Sequence, residues 1–148
     1  MGRHLGVVGL LLLVGAAGPV AAQAPAPAAS LQGAWRSGGT TMRITLSGTQ
    51  ARALFAELGQ GAKDLGFKPG EPSFIATVNG NYLYGEQTIR YRIPNCHPNG
   101  RKVPMMGRMT PDGKALAIHY YLLTVDATCR DTGQYRVDQT VWERVPGR

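Results

Sequence analysis

Apolar and polar residues alternate along most of the chain. In residues 41–47, Met42, Ile44 and Leu46 alternate with polar neighbours, which is the two-residue period of a strand with one buried face. This pattern, or a run of β-forming residues, recurs further along the chain. It predicts strands over residues 41–47, 74–78, 82–84, 88–93, 103–110, 115–125 and 134–145.

Turn residues connect several of these segments. Asn79-Gly80 is typical of a tight hairpin, because both central residues of such a turn need positive φ. Pro111-Asp112-Gly113 predicts the turn of a second hairpin. In this hairpin, the numbers of two residues that face each other on the two strands add up to 225. A Gly bulge at the turn would change the sum to 224. Many short strands with regular turns predict a mainly β fold, a single antiparallel β-barrel or sandwich.

One segment, residues 49–59, has a helical pattern instead. Ala51, Leu54, Phe55 and Leu58 fall at positions i, i+3, i+4 and i+7, on one face of a helix. The sequence therefore predicts one short helix near 49–59, and residues 62–65 could add a turn. Such a helix either covers a ligand cavity or plugs one end of a barrel, and the plug is the preferred interpretation.

The N-terminus has the features of a secretory signal peptide over residues 1–22. Arg3 precedes an apolar stretch that is too short to span a bilayer, and Val20-Ala21-Ala22 places small residues before the predicted cleavage site. Cleavage after Ala24 is the alternative. Residues 23–30 form an Ala/Pro-rich linker. We therefore expect a periplasmic or secreted protein with one β domain over residues 31–148, no membrane-spanning segment and no lipid anchor, because no Cys lies near the cleavage site.

Length and charge narrow the function classes. The chain has 148 residues and a formal net charge of +7, which becomes +6 when Arg3 is removed with the signal peptide. One domain of this size excludes a large multidomain enzyme. Export makes nucleic acid an implausible partner for the basic protein.

A basic stretch, residues 90–108, contains five cations and no acid. Arg side chains near Tyr suit anionic groups, because the guanidinium offers a planar fork to phosphate or carboxylate. The stretch predicts a surface for an anionic envelope component or an acidic protein. The plainer interpretation is a solvated strand face that keeps the protein soluble. The cations are Arg90, Arg92, Arg101, Lys102 and Arg108.

Both ends of the β domain resemble those of the calycin barrels, which comprise the lipocalins, the fatty-acid-binding proteins and avidin. The domain opens with Gly33-Ala34-Trp35, and its last predicted strand ends with Arg144. The resemblance implies that the Trp35 indole lies at the barrel floor beside Gly33 and that Arg144 packs over it, a cation–π contact. It also implies an internal cavity for a small apolar ligand.

Cys96 and Cys129 are the two cysteines of the chain. In an exported protein a pair of cysteines predicts one disulfide, and their numbers add up to 225, as for opposed residues of the second hairpin. The rival is a metal site with His97 and perhaps His119. The side chains of adjacent Cys and His residues point to opposite faces of a strand, so we expect no metal site here. We also expect no cofactor.

Catalytic motifs are scarce. His97 and His119 are the histidines of the β domain, and no Ser lies in a Gly-x-Ser-x-Gly sequence. The sequence predicts a non-enzymatic binding protein for a small apolar or amphipathic molecule, or for an anionic envelope component. The alternative is an interaction or inhibitor protein that binds an acidic partner through residues 90–108. A small hydrolase using His97 or His119 ranks third.

Overall fold

The computed structural model describes residues 31–147, and the predicted signal peptide and linker lie outside the described residues. Within this range, eight strands form one closed antiparallel barrel and the chain adds one short helix, which confirms the predicted fold class. No helix in residues 31–147 has the length and apolar character needed to cross a membrane. The elements are β1 (Gly33–Ser37), β2 (Thr40–Ser47), β3 (Gln50–Glu57), α1 (Gln60–Asp64), β4 (Pro72–Asn79), β5 (Tyr82–Ile89), β6 (Arg101–Met109), β7 (Ala115–Val125) and β8 (Asp131–Arg144).

The strands follow one another around the barrel in chain order. Each pairs with the next, and β1 pairs with β8 through Trp35 opposite Arg144. The seam between β1 and β8 is short, with two residue pairs, and it closes the sheet next to the turn between β6 and β7.

The two predicted hairpins are confirmed. Asn79 pairs with Tyr82 across the first turn. Across the second, Met109 pairs with Leu116 and Met105 with Tyr120, so opposed residues have numbers adding up to 225.

The helix predicted near 49–59 is in the wrong place. Residues 50–57 form strand β3, and the helix follows at 60–64. Ala51, Ala53 and Phe55 alternate into the core, so the segment also satisfies a two-residue period. Hydrogen bonding to β2 on one side and β4 on the other outweighs its local helix propensity.

The predicted strand over residues 88–93 is also partly wrong. Strand β5 ends at Ile89, and residues 90–100 form an irregular loop between β5 and β6. Arg90 and Arg92 therefore lie in this loop and not on a solvated strand face. The loop contains Pro94 and Pro98, and a proline cannot donate a ladder hydrogen bond.

Large apolar side chains fill much of the barrel interior. Gly85 leaves no room for a side chain against the neighbouring strand β4, since a Cβ there would lie 2.1 Å from the carbonyl oxygen of Ile75. Most inward positions of the central layers hold buried apolar side chains, which pack against one another in the interior. The largest fully buried side chains are Trp35, Phe74, Leu31, Met42, Ile44, Leu83, Met109, Leu116, Ile118 and Val103.

Candidate functional site

The two ends of the barrel are built differently. At one end, the closed end, short turns connect β2 to β3, β4 to β5 and β6 to β7. At the other end, the mouth, the longer connections are residues 58–71 between β3 and β4 and residues 90–100 between β5 and β6, with the turn between β7 and β8 beside them. Most side chains that could take part in a function lie at the mouth.

A cavity of about 400 Å³ lies at the mouth, which we call the mouth cavity. Its volume lies within the range of small-molecule sites. Apolar, polar and charged side chains from strands and loops converge on it. The lining residues used below are Phe55, Phe67, Gln87, Arg90, Arg92, Tyr120, Leu122, Arg136, Asp138 and Trp142.

Strands β7 and β8 supply the polar side of this cavity. Arg136 and Asp138 form an ion pair with 3.1 Å between Nη2 and Oδ2. Tyr120 lies opposite Asp138 in the ladder, and burial raises the pKa of its phenol. The inward side chains change from the apolar Leu116 and Ile118 near the closed end to polar groups near the mouth.

Residues 58–71 supply an aromatic side. The ring of Phe67 lies 4.9 Å from that of Phe55, and the guanidinium of Arg90 lies 4.8 Å from the centre of the Phe67 ring. Helix α1 buries none of its residues, so it does not plug the barrel. The segment after the helix, through Phe67, forms the wall of the mouth cavity.

Arg90 is held firmly and still has an unused donor. Its Nη2 binds both carboxylate oxygens of Glu71 at 3.1 and 3.2 Å, and its Nη1 donates to the carbonyl oxygen of Gly66. Its Nε is buried and has no hydrogen-bond partner among the described residues. A buried donor without a partner costs free energy, which the ion pair with Glu71 and the bond to Gly66 offset.

The predicted disulfide is present. Cys96 and Cys129 are bonded, with 5.4 Å between their Cα atoms, and join the loop 90–100 to the β7–β8 turn. The Tyr91 hydroxyl donates to the carbonyl oxygen of Leu123 at 2.8 Å, close to the same junction.

An ion pair adds a further link at the junction. Arg101 binds Asp131 through both guanidinium nitrogens, and this hydrogen bonding holds the pKa of the Asp131 carboxyl below its ordinary value and raises that of Arg101. The disulfide, the Tyr91 hydrogen bond and this ion pair fix the loop that borders the mouth.

The five cations of the basic stretch do not form one surface. Arg90 and Arg101 are in ion pairs, and Lys102 donates to the hydroxyl of Thr88. Arg108 lies near the closed end, 5.6 Å from the centre of the Tyr82 ring. Arg92 makes no ion pair within residues 31–147 and lines the mouth cavity.

At the closed end, Trp35 is fully buried and Arg144 lies over it, with 4.4 Å from the guanidinium carbon to the ring centre. The indole Nε1 donates to the carbonyl oxygen of Leu31 at 2.9 Å. Arg144 donates to the carbonyl oxygens of Gly113 and Gln32, and burial lowers its pKa. This is the contact that the calycin resemblance implies.

A Cβ at Gly33 would lie 3.2 Å from Nη1 of Arg144, and Gly33 adopts φ +135°. Both facts favour glycine at this position. Residues with a side chain rarely adopt that backbone conformation, and a side chain here would crowd the guanidinium.

The two histidines lie apart in the fold. His97 is in the loop 90–100, with its ring 5.9 Å from that of Tyr91. His119 is in the middle of β7, opposite Met106 and Gln139, on the other face from Ile118.

The outer face of β4–β8 is partly apolar. Tyr84, Met106 and Tyr121 are among the exposed large hydrophobic residues there. These side chains do not line the mouth cavity, so substitutions on the outer face can serve as controls for it.

Several cavity residues escaped the sequence analysis, notably Phe67, Tyr120, Asp138 and Trp142. A usable pattern does exist in β8. Its inward positions run from Trp142 through Asp138 to Arg136, so the face that should be apolar turns polar towards one end. Such a change of character within one face indicates an open barrel end rather than a packed core.

Comparisons with known proteins assign no family. A scan against protein-family models finds no match for the chain, and a search of curated proteins finds no significant match.

Proposed function

We propose that the protein is an exported, non-enzymatic binding protein that holds one small amphipathic molecule in the mouth cavity. The observation that carries the proposal is the convergence of aromatic, hydrogen-bonding and cationic side chains on one cavity of about 400 Å³. Ligand sites typically combine a mainly apolar wall with a few polar groups that fix orientation.

The side chains suggest how the ligand lies. Phe55, Phe67 and Trp142 offer surface to its apolar part. The guanidinium of Arg92, which makes no ion pair within residues 31–147, favours an acceptor or anionic group on the ligand. Because large side chains fill the barrel below, the ligand occupies the mouth and not the whole interior.

Export is part of this proposal. The disulfide fits an oxidising compartment, and the sequence of residues 1–22 has the features of a signal peptide. A calycin-type barrel is likewise proposed, supported by the contact of Trp35 with Arg144 and by Gly33 beside it.

The alternative function, binding of an acidic partner through the basic stretch, has less support. Arg90 and Arg101 are already neutralised by Glu71 and Asp131, and Arg108 lies near the other end of the barrel. A hydrolase that uses His97 or His119 gains no support from their separate positions in the fold.

The proposal is tested with an anionic amphiphile, 1-anilinonaphthalene-8-sulfonate, as a fluorescent probe. Leu122 lines the mouth cavity, whereas its neighbour Leu123 points the other way on β7. We expect Leu122→Glu to weaken probe binding by at least about tenfold, which corresponds to about 1.4 kcal/mol. Leu123→Glu is the matched control and should change the affinity by less than about twofold.

Native mass spectrometry of protein purified from its own envelope provides a second measurement. We expect a bound small molecule on the wild-type protein and its loss from Leu122→Glu. Equal probe affinity for both Leu variants, together with no adduct on the wild-type protein, would exclude a ligand in the mouth cavity. Cooperative melting of each variant shows that the fold is retained.

A further inference from the structure

The disulfide lies among unusual backbone conformations. Asn95, His97 and Cys129 have φ values of 60°, 49° and 64°, and they are the non-glycine residues with positive φ in residues 31–147. All three are at or beside the Cys96–Cys129 bond. Left-handed conformations are uncommon for residues other than glycine, and clusters of them often accompany functional sites.

The local geometry removes the argument against a metal site that the sequence suggested. Adjacent side chains point to opposite faces only in a strand, whereas Cys96 and His97 lie in a loop. Candidate ligand atoms of Cys96, His97 and Cys129 all lie within 4.8 Å of one another. An imidazole nitrogen therefore lies near the two bonded sulfurs.

The surroundings suit a bound ion. Cys96 is buried, while His97 and Cys129 are partly exposed. Cys96 and His97 line a second cavity of about 440 Å³, which would give an ion access from solvent. The nearby carboxylate of Asp131 binds Arg101 through both oxygens, so the charges beside His97 are already paired.

We propose that, once the disulfide is reduced, Cys96, Cys129 and His97 form a binding site for Zn²⁺. Two thiolates and one imidazole are preferred ligands of this ion, and a fourth position would stay open to water. The same atoms would thus form a covalent cross-link under oxidising conditions and a metal cross-link under reducing ones, so that either state ties the loop 90–100 to the β7–β8 turn.

The chemistry balances with a dithiol as reductant. The dithiol passes two electrons and two protons to the Cys96–Cys129 bond, which breaks to two thiols while the dithiol becomes a disulfide. Zn²⁺ then displaces one proton from each thiol and binds the two thiolates and the neutral His97 imidazole. With Zn–S distances of about 2.3 Å, tetrahedral geometry separates the sulfurs by about 3.8 Å, which requires the loop 90–100 to move slightly away from the β7–β8 turn.

The test uses the full mature protein, reduced with dithiothreitol and then freed of it without oxygen. We expect one Zn²⁺ per chain by native mass spectrometry, and charge transfer from sulfur to metal when Co²⁺ replaces Zn²⁺. His97→Ala should weaken Zn²⁺ binding by at least about tenfold. His119→Ala is the matched control and should bind as tightly as the wild-type protein, because His119 lies on β7.

Two further comparisons make the result decisive. The oxidised protein and the reduced double variant Cys96→Ser/Cys129→Ser should not bind Zn²⁺ at this site. If reduction unfolds the protein, Zn²⁺ should restore the β circular dichroism spectrum. Equal binding by His97→Ala and the wild-type protein would overturn the proposed ligand set, and a reduced protein that neither binds Zn²⁺ nor refolds with it would overturn the site.

Discussion

The closed end and the mouth of the barrel are held together by different means. At the closed end, Leu31 and Trp35 are buried and Arg144 bonds two carbonyl oxygens. At the mouth, covalent and polar links between loops are added to the aromatic contact of Phe55 with Phe67. This difference shows how one end of a barrel can leave room for a ligand. Side chains need not fill that end if links between its loops hold the structure together.

The two tryptophans provide the largest test of this comparison. Both side chains belong to the buried core, Trp35 at 0% and Trp142 at 7% exposure, but Trp142 also lines the mouth cavity. We expect Trp35→Ala to lower the free energy of unfolding by about 3–5 kcal/mol, because it removes a large side chain that the closed end cannot refill. The expected fall in Tm is about 10–20 °C.

Trp142→Ala is the matched variant and should cost less, because part of its surroundings is already open. Thermal and urea unfolding of both variants measures the difference. Equal losses would contradict the view that only the closed end depends on tight packing. The mouth variant should instead change binding of the fluorescent probe.

The disulfide provides the next largest test. Replacing Cys96 and Cys129 by Ser should lower the free energy of unfolding by about 2–4 kcal/mol, because the unfolded chain gains freedom when the cross-link is absent. Hydrogen exchange should rise first in residues 90–100 and 126–131, which the bond joins. A rise that begins instead in β1–β3 would show that the bond supports the whole barrel and not the mouth alone.

The closed end and most strands of the barrel were largely predictable from sequence. Alternation identified most strands, and Pro111-Asp112-Gly113 set the register that pairs Met105 with Tyr120. These features depend on local turn chemistry and on a two-residue period, which the sequence displays directly.

The mouth was much less predictable. The segment that became β3 satisfies a helical period as well as a strand period, and only its pairing with β2 and β4 decides between them. The mouth cavity joins Phe67, Arg90 and Asp138, which are far apart in the chain and meet only when the barrel closes. Residues 88–93 alternate like a strand, yet Arg90 leaves the sheet to bind Glu71.

Two aspartates, one in a turn at each end, offer the smallest test. Asp126 at the mouth accepts hydrogen bonds from the backbone N–H groups of Thr128 and Arg130. Asp112 at the closed end accepts them from the Thr110 hydroxyl and the Lys114 N–H. These hydrogen bonds hold the pKa of each carboxyl below its ordinary value.

Each carboxylate therefore stabilises the fold at a pH above the ordinary aspartate pKa of about 4, and this contribution is lost as the pH falls through the lowered pKa of the folded protein. Asn at either position should lower Tm slightly at neutral pH, and the difference from the wild-type protein should shrink on acidification. A difference that grows in acid would contradict the lowered pKa values.

The two ends can be compared by combining each Asp→Asn substitution with the double variant Cys96→Ser/Cys129→Ser. The Asp126 carboxylate holds the turn that carries Cys129, since it accepts hydrogen bonds from the backbone N–H groups of Thr128 and Arg130, the residues on either side of Cys129. Loss of the disulfide should therefore change the effect of Asp126→Asn, because interacting neighbours are not additive. Asp112→Asn should have the same effect on Tm with and without the disulfide, because its turn is at the other end of the barrel. If the two aspartates respond alike, the mouth and the closed end are not independent, and the division of the barrel into a packed end and a cross-linked end is wrong.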